Sequence, residues 1–114
     1  TLAVAPTYNE GKLVAISPVS TSVKLSGISP YIFRTVPSDY IAARALANYM
    51  LTNLQQKTAA VFFNPQSVYS QSLKSEFVTA VLLGGGRVTS EFDLSDPSFS
   101  PANSINQAIK QGAQ

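Results

Sequence analysis

Two periods of hydrophobic and polar residues alternate along this chain. Residues 12–17, KLVAIS, are a short apolar run closed by Pro18, and residues 31–36, YIFRTV, are another closed by Pro37. Residues 58–63, TAAVFF, repeat the pattern. Continuous hydrophobicity over so few residues predicts strands buried on both faces. Residues 87–94, RVTSEFDL, alternate instead, which predicts a half-exposed strand with Val88, Ser90, Phe92 and Leu94 on one side. Between these runs the period lengthens. Ile41, Ala45, Tyr49 and Ala42, Leu46, Met50 recur four apart, with Leu54 continuing the second row. That spacing predicts a helix from Ser38, the N-cap, to about Gln56, with Asp39 placing negative charge in its first turn. A second helix, capped by Ser67, carries Tyr69, Leu73, Phe77 and Val81 on one stripe and runs to about Leu83. A third opens at Ser100–Pro101 and runs through Ile105 and Ile109 to about Gln111. Residues 2–10 read as a short helix end before Gly11, interrupted by Pro6. Residues 18–30 read as a loop with one helical turn near Ser22 to Leu25.

Buried strands separated by amphipathic helices define an α/β protein with a parallel sheet. The 114 residues fit one domain at most, yet suffice for a real core. No apolar run approaches the roughly 20 residues that span a bilayer. Thr1 to Pro6 has neither the basic nor the long apolar region of a signal peptide. The chain has no initiator Met, which suits a start inside a longer protein.

Composition narrows the chemistry. The sequence has no His and no Cys, so it offers no thiolate or imidazole metal site, no disulfide and no Ser–His or Cys–His pair. Eight Lys and Arg against six Asp and Glu give a net charge of +2. Those dispersed cations are not a nucleic-acid footprint. Gly84-Gly85-Gly86 follows a helix and leads into a strand. Phosphate loops run in the opposite order, so the run reads as a helix stop. Glu91 and Asp93 share one side of their strand and could act as an acid–base pair or hold Mg²⁺, but suit a solvated face better. Nothing positive supports an enzyme.

The segment Ser17 to Ser22 says more. It follows a strand end, where open α/β sheets bind ligands. Its hydroxyls and amides could hold a small carboxylate or ammonium, although a Ser-rich loop closed by its own capping bonds fits the same residues. Tyr69 also follows a strand end. It either heads the core stripe or lines a binding cleft.

Ordered landmarks then extend over nearly the whole chain. The runs LVAISPVSTSVKLSGISPYIFRTVPSDYIAARALANYM, TAAVFFNPQSVYSQSLKSEFVTAVLLGGGRVTSEFDL and DPSFSPANSINQAI resemble, in this order, segments of the type I periplasmic binding proteins. The leucine/isoleucine/valine-binding proteins of ABC importers are the relatives this resemblance names. It implies a flavodoxin-like parallel sheet with flanking helices, within a two-lobed protein several times longer than this chain. Residues 1–36 would end the first lobe and include the crossover segment, and residues 37–114 would begin the second.

The resemblance further implies a ligand site. Val19, Ser20 and Thr21 occupy the place that holds an amino acid's carboxylate and ammonium. Tyr69 would line the cleft from the second lobe, with Ser70 in place of the family's usual Gly. It implies a solute-binding role for a branched-chain-like amino acid or related small molecule, an ABC permease as partner, an extracytoplasmic location, and no cofactor, metal or catalytic residue. A receptor or sensor ectodomain with the same fold is the second reading; a third, an enzyme on this scaffold, has little titratable material to use. A chain holding part of each lobe would expose sheet edges and apolar helix faces. It is therefore expected to self-associate as a dimer and to bind amino acids poorly alone.

Overall fold

In the computed structural model, residues 2–114 are described. The chain begins with a 3-10 turn at Leu2–Val4 that runs into α1, Ala5–Glu10. Strand β1 is Ala15–Ser17, and a second 3-10 turn spans Val23–Leu25. Strand β2 is Ile32–Arg34. Helix α2, Asp39–Asn48, passes into a π-helical turn at Tyr49–Asn53. Then follow β3, Thr58–Phe63, α3, Val68–Leu83, β4, Arg87–Asp93, and α4, Pro101–Lys110. The protein is α/β, with parallel strands flanked by helices.

The strands form two separate parallel pairs, β1 with β2 and β3 with β4. The first is anchored by a small core of Ala5, Leu25 and Ile32, with Leu2 and Ala15 packed against it. The second is covered by α3, on which α2 packs, with Val81 and Ala43 fully buried. Across β3 and β4 the rings of Phe62 and Phe92 stack at 4.9 Å, and Phe99 meets Phe62 edge-on at 6.3 Å. Lys74 of α3 lies 4.3 Å over the Phe63 ring and pairs with Glu91 of β4, pinning helix to sheet. The C-terminus returns to the start of β3, where the Thr58 hydroxyl donates to the Gly112 carbonyl over 2.6 Å. The radius of gyration is 17.0 Å, against about 13 Å for a compact chain of this length.

Several elements differ from the sequence reading. Only the last residues of 12–17 are strand. Leu13, Val14 and Ile16 are exposed, so β1 is covered on one face rather than two. The α2 helix gives way at Tyr49 to the wider π turn, and Gln55 at φ 55° ends the element. The buried row of α2 is Asp39, Ala43 and Ala47, not the rows through Ile41 or Leu46. Small side chains let α2 approach α3 closely, and the bulky rows face outward. The same inversion holds in α4, where Ser104 and Ala108 are buried while Ile105 and Ile109 are exposed.

In β4 a bulge at Thr89 breaks the alternation. Val88 pairs with Ala59 and Ser90 with Ala60, so Val88 falls on the opposite face from Ser90. The Thr89 hydroxyl donates to the Ala59 carbonyl over 3.2 Å. Ser67 caps α3 by accepting from the Ser70 amide, whereas the side chains of Ser38 and Ser100 make no capping bond. Gly84 to Gly86 stop α3. Gly85 takes φ 81°, and the Gly86 amide donates to the Val81 carbonyl over 2.9 Å.

Candidate functional site

The carboxyl ends of β1 and β3 open toward a common cleft of about 460 Å³. Val19, Ser20, Thr21, Ser22 and Leu25 line it from the segment after β1. Val68 and Tyr69 line it from the first turn of α3, and Leu2 and Ala3 complete it. All four residues singled out from the sequence, Val19, Ser20, Thr21 and Tyr69, therefore border one cavity, though they are 50 residues apart at the extremes of that set. Leu2, Ala3 and Val68 were not anticipated. They carry no signal beyond being apolar, and only the fold brings them here.

The local sequence explains the shape of the first wall. Pro18 ends β1, and the Ser17 hydroxyl accepts from the Ser20 amide over 3.1 Å, turning the chain at once. Ser22 then caps the 3-10 turn by accepting from the Lys24 amide over 3.3 Å. Val19 stands 77% exposed at the turn's tip. The Thr21 carbonyl accepts the Asp39 amide over 2.8 Å and one guanidinium N–H of Arg34 over 3.2 Å. A carbonyl oxygen has two lone pairs, so this one is saturated. On the second wall, Asn64-Pro65 turns the chain after β3. The Ser70 hydroxyl accepts from the Asn64 amide over 2.9 Å, which fixes the entry of α3 and with it Tyr69. Tyr69 is 57% exposed and borders the cleft.

Among the described residues no charged side chain borders this cleft. What it can offer is hydroxyls, main-chain amides and an aromatic face, the means by which a neutral surface holds a small polar molecule with an apolar body. Glu91 and Asp93 lie elsewhere and are occupied. Glu91 pairs with Lys74, and Asp93 accepts the Ser95 amide and hydroxyl over 2.7 and 2.6 Å. Among the described residues no group of His, Cys, Asp and Glu could hold a metal ion, and no helix is long and apolar enough to cross a membrane. A larger groove of about 510 Å³ runs between α2 and α3, bordered by Tyr40, Arg44, Leu51, Glu76 and Gly84. It includes the C-terminal end of α3, which leads into the start of β4. That is the end of the strands at which open α/β sheets do not bind ligands.

Comparison with known families places this geometry. A family model described as periplasmic binding protein matches residues 1–114. The chain belongs to the periplasmic binding protein family. Comparison with curated proteins gave no match.

Among solved structures, the chain is similar to a leucine-binding protein of Thermotoga maritima, with 28% identity and a TM-score of 0.78, over 96% of this chain and 31% of that one. It shares the fold of a branched-chain amino acid ABC transporter protein of Thermus thermophilus with bound valine, at 17% identity and a TM-score of 0.82, over 99% of this chain and 30% of the other. It also shares the fold of an ABC transporter solute-binding protein of Rhodopseudomonas palustris in complex with 3,4-dihydroxybenzoic acid, at 22% identity and a TM-score of 0.75, over 96% and 30%. The chain thus spans about a third of the length of these relatives. They are named as binding and transport proteins.

Proposed function

We propose that this chain supplies part of the ligand cleft of an extracytoplasmic solute-binding protein that serves an ABC importer. Residues 1–36 close the first lobe and carry the crossover, and residues 37–114 open the second. The observation that carries this reading is the single cleft bordered by Val19, Ser20, Thr21 and Tyr69, two walls drawn from the ends of two separate parallel strand pairs. A solute that touches both walls favours the closed arrangement by its contacts with each, and so shifts the equilibrium toward closure.

The ligand is a small carboxylate with an apolar body. The hydroxyls of Ser20 and Thr21 and the amides of their loop hold the carboxylate, and Tyr69 covers the rest. A branched-chain amino acid heads the candidates. The named ligands of similar proteins, leucine, valine and a benzoic acid, share the carboxylate and differ in the body. That pattern supports carboxylate recognition by this segment and selection of the body by residues outside it.

The elongated shape and the outward rows of Ile105, Ile109, Ile41 and Leu46 support a further part of the reading. The remaining sheet and helices of a longer protein cover these faces, and the isolated chain self-associates instead. The test is a ligand screen on the full-length protein by calorimetry, with branched-chain amino acids and benzoates. Micromolar or tighter binding of a small carboxylate is expected. A protein that binds none of them contradicts the reading.

A further inference from the structure

Arg34 is the one charged residue in the run YIFRTV, and neither its place in β2 nor the cleft lining explains it. Its guanidinium reaches back across the end of β1 to the ligand loop. One nitrogen donates to the main-chain carbonyls of Thr21, over 3.2 Å, and Ser22, over 2.9 Å, and the other donates to the Ser26 hydroxyl. One planar group thus spans residues 21 to 26, a task for which its rigid fork of donors suits it. Its partners are all neutral. Among the described residues the ion pair is that of Lys74 with Glu91, so no carboxylate pairs directly with Arg34.

We infer that Arg34 is a positioning residue of the ligand loop, which sets the peptide planes at Thr21 and Ser22 and lends the uncharged cleft its positive field. The inference rests on the proposed role of that cleft and extends it. Two physical consequences support the assignment. The peptide group is planar and trans, so turning the carbonyls of Thr21 and Ser22 toward Arg34 turns the N–H groups of Ser22 and Val23 away from it. Those carbonyls are also removed from the set of acceptors that would repel a carboxylate. The charge sits behind the loop, shielded from direct contact, and acts on the ligand through two peptide dipoles. Arg34 immediately precedes the segment that leads into α2, whose Asp39 amide binds the same Thr21 carbonyl. The loop is therefore registered against both β2 and the start of α2.

The test uses the full-length protein with L-leucine, L-valine and benzoate as probes, and compares wild type, Arg34→Gln, Arg34→Lys and Ser26→Ala. Affinity is read by calorimetry, and hydrogen exchange over residues 21–25 by mass spectrometry. Arg34→Gln is expected to weaken the best probe about tenfold, the order expected for lost charge-assisted hydrogen bonds. It is also expected to speed exchange over residues 21–25 while α2 and β3 keep wild-type rates. Arg34→Lys keeps the charge but cannot span three acceptors, and is expected to recover part of the loss. Ser26→Ala leaves both carbonyl contacts and is expected to change affinity less than threefold.

Wild-type affinity in Arg34→Gln, or faster exchange spread evenly over the protein, overturns the inference. Should Arg34→Gln fail to fold, Arg34→Lys decides: affinity about threefold weaker with faster exchange over residues 21–25 supports it, and wild-type behaviour in both overturns it. If the wild type binds none of the probes, the cleft reading fails, and the exchange pattern alone judges whether Arg34 positions the loop.

Discussion

The main-chain N–H of Asp39 donates to the main-chain carbonyl of Thr21 over 2.8 Å. This bond ties the first turn of α2 to the loop that carries Ser20 and Thr21, across 18 residues of sequence. Asp39 itself is 1% exposed, and its Oδ2 meets no hydrogen-bond partner among the described residues. The backbone link can be removed with little harm to the helix. Proline suits the first helical position, and Ser38 already holds the extended conformation that precedes a proline, at φ −77° and ψ 159°. Asp39→Pro deletes the N–H, whereas Asp39→Asn keeps it. The proline variant is expected to keep the helix content seen by circular dichroism and to be less stable than the asparagine variant by about 1 kcal/mol, the net worth of one hydrogen bond. Equal stabilities in urea unfolding would limit the link to no more than the proline gains by restricting the unfolded chain, about 0.4–1 kcal/mol.

Gly86 sits where α3, the turn before β3 and the π turn converge. A Cβ there would lie 2.9 Å from the Leu51 side chain, the Lys57 carbonyl and the Val81 side chain. The Lys57 carbonyl is held by the Arg87 amide at 2.8 Å and cannot yield cheaply. Gly86→Ala is expected to destabilise the protein by about 1–3 kcal/mol, as overpacking does. Gly85→Ala tests a different cause. It has open space and φ 81°, so its cost comes from backbone strain alone. Urea unfolding of the two variants separates them; a Gly86→Ala variant as stable as wild type would contradict the packing.

Tyr69 contributes surface to the cleft but little to the core, being 57% exposed. Tyr69→Ala is therefore expected to leave the thermal midpoint of the unliganded full-length protein nearly unchanged, while weakening small-carboxylate binding at least tenfold. Affinity equal to wild type in a titration would remove Tyr69 from the site. A large loss of stability would return it to the role of a core residue.

The isolated 114-residue chain exposes Leu83 to 82%, Val14 and Ile109 to 64%, and Ile16 to 63%. Surfaces of this kind associate. Light scattering on the isolated chain is expected to give twice the chain mass or more. A monodisperse monomer would count against exposed apolar faces as the determinant.

Asp96 accepts the Ser98 amide over 2.8 Å and the Ser98 hydroxyl over 2.7 Å, and these bonds hold its carboxyl below its ordinary pKa. A carboxylate depressed in the folded state stabilises the fold above the ordinary carboxylate range. That contribution disappears as pH falls through the lowered value. Because Asp96 is exposed, the effect on stability is small and the titration itself is the better readout. Ser98→Ala removes the hydroxyl but keeps the amide, so the Asp96 pKa is expected to move part of the way back up. An unchanged NMR titration would show the amide to be the sole cause.

Much of this fold follows from local sequence. Ser67 caps α3, Pro101 opens α4, the three glycines close α3, and TAAVFF is β3 residue for residue. Which face of each helix turns inward was not readable in the same way. Periodicity at Ile41, Ala45 and Tyr49 establishes a helix but is blind to the close approach of α2 and α3, which selects Ala43 and Ala47. The bulge at Thr89 leaves no mark in an alternating run, because it answers to the pairing strand. Residues that line the cleft were legible where they follow strand ends, as Ser20, Thr21 and Tyr69 do. Leu2, Ala3 and Val68 border the cleft only through tertiary packing. The role of Arg34 depends on a side chain reaching back 8 to 13 residues. Its one sequence signal is a lone cation in an apolar strand.

The crystal structure of the full-length protein with its tightest-binding carboxylate tests the central claim most directly. The carboxylate is predicted within hydrogen-bond distance of the Ser20–Thr21 loop, with Tyr69 against the body of the ligand. A ligand seated away from both, in the α2–α3 groove or elsewhere, would contradict the assignment of this cleft.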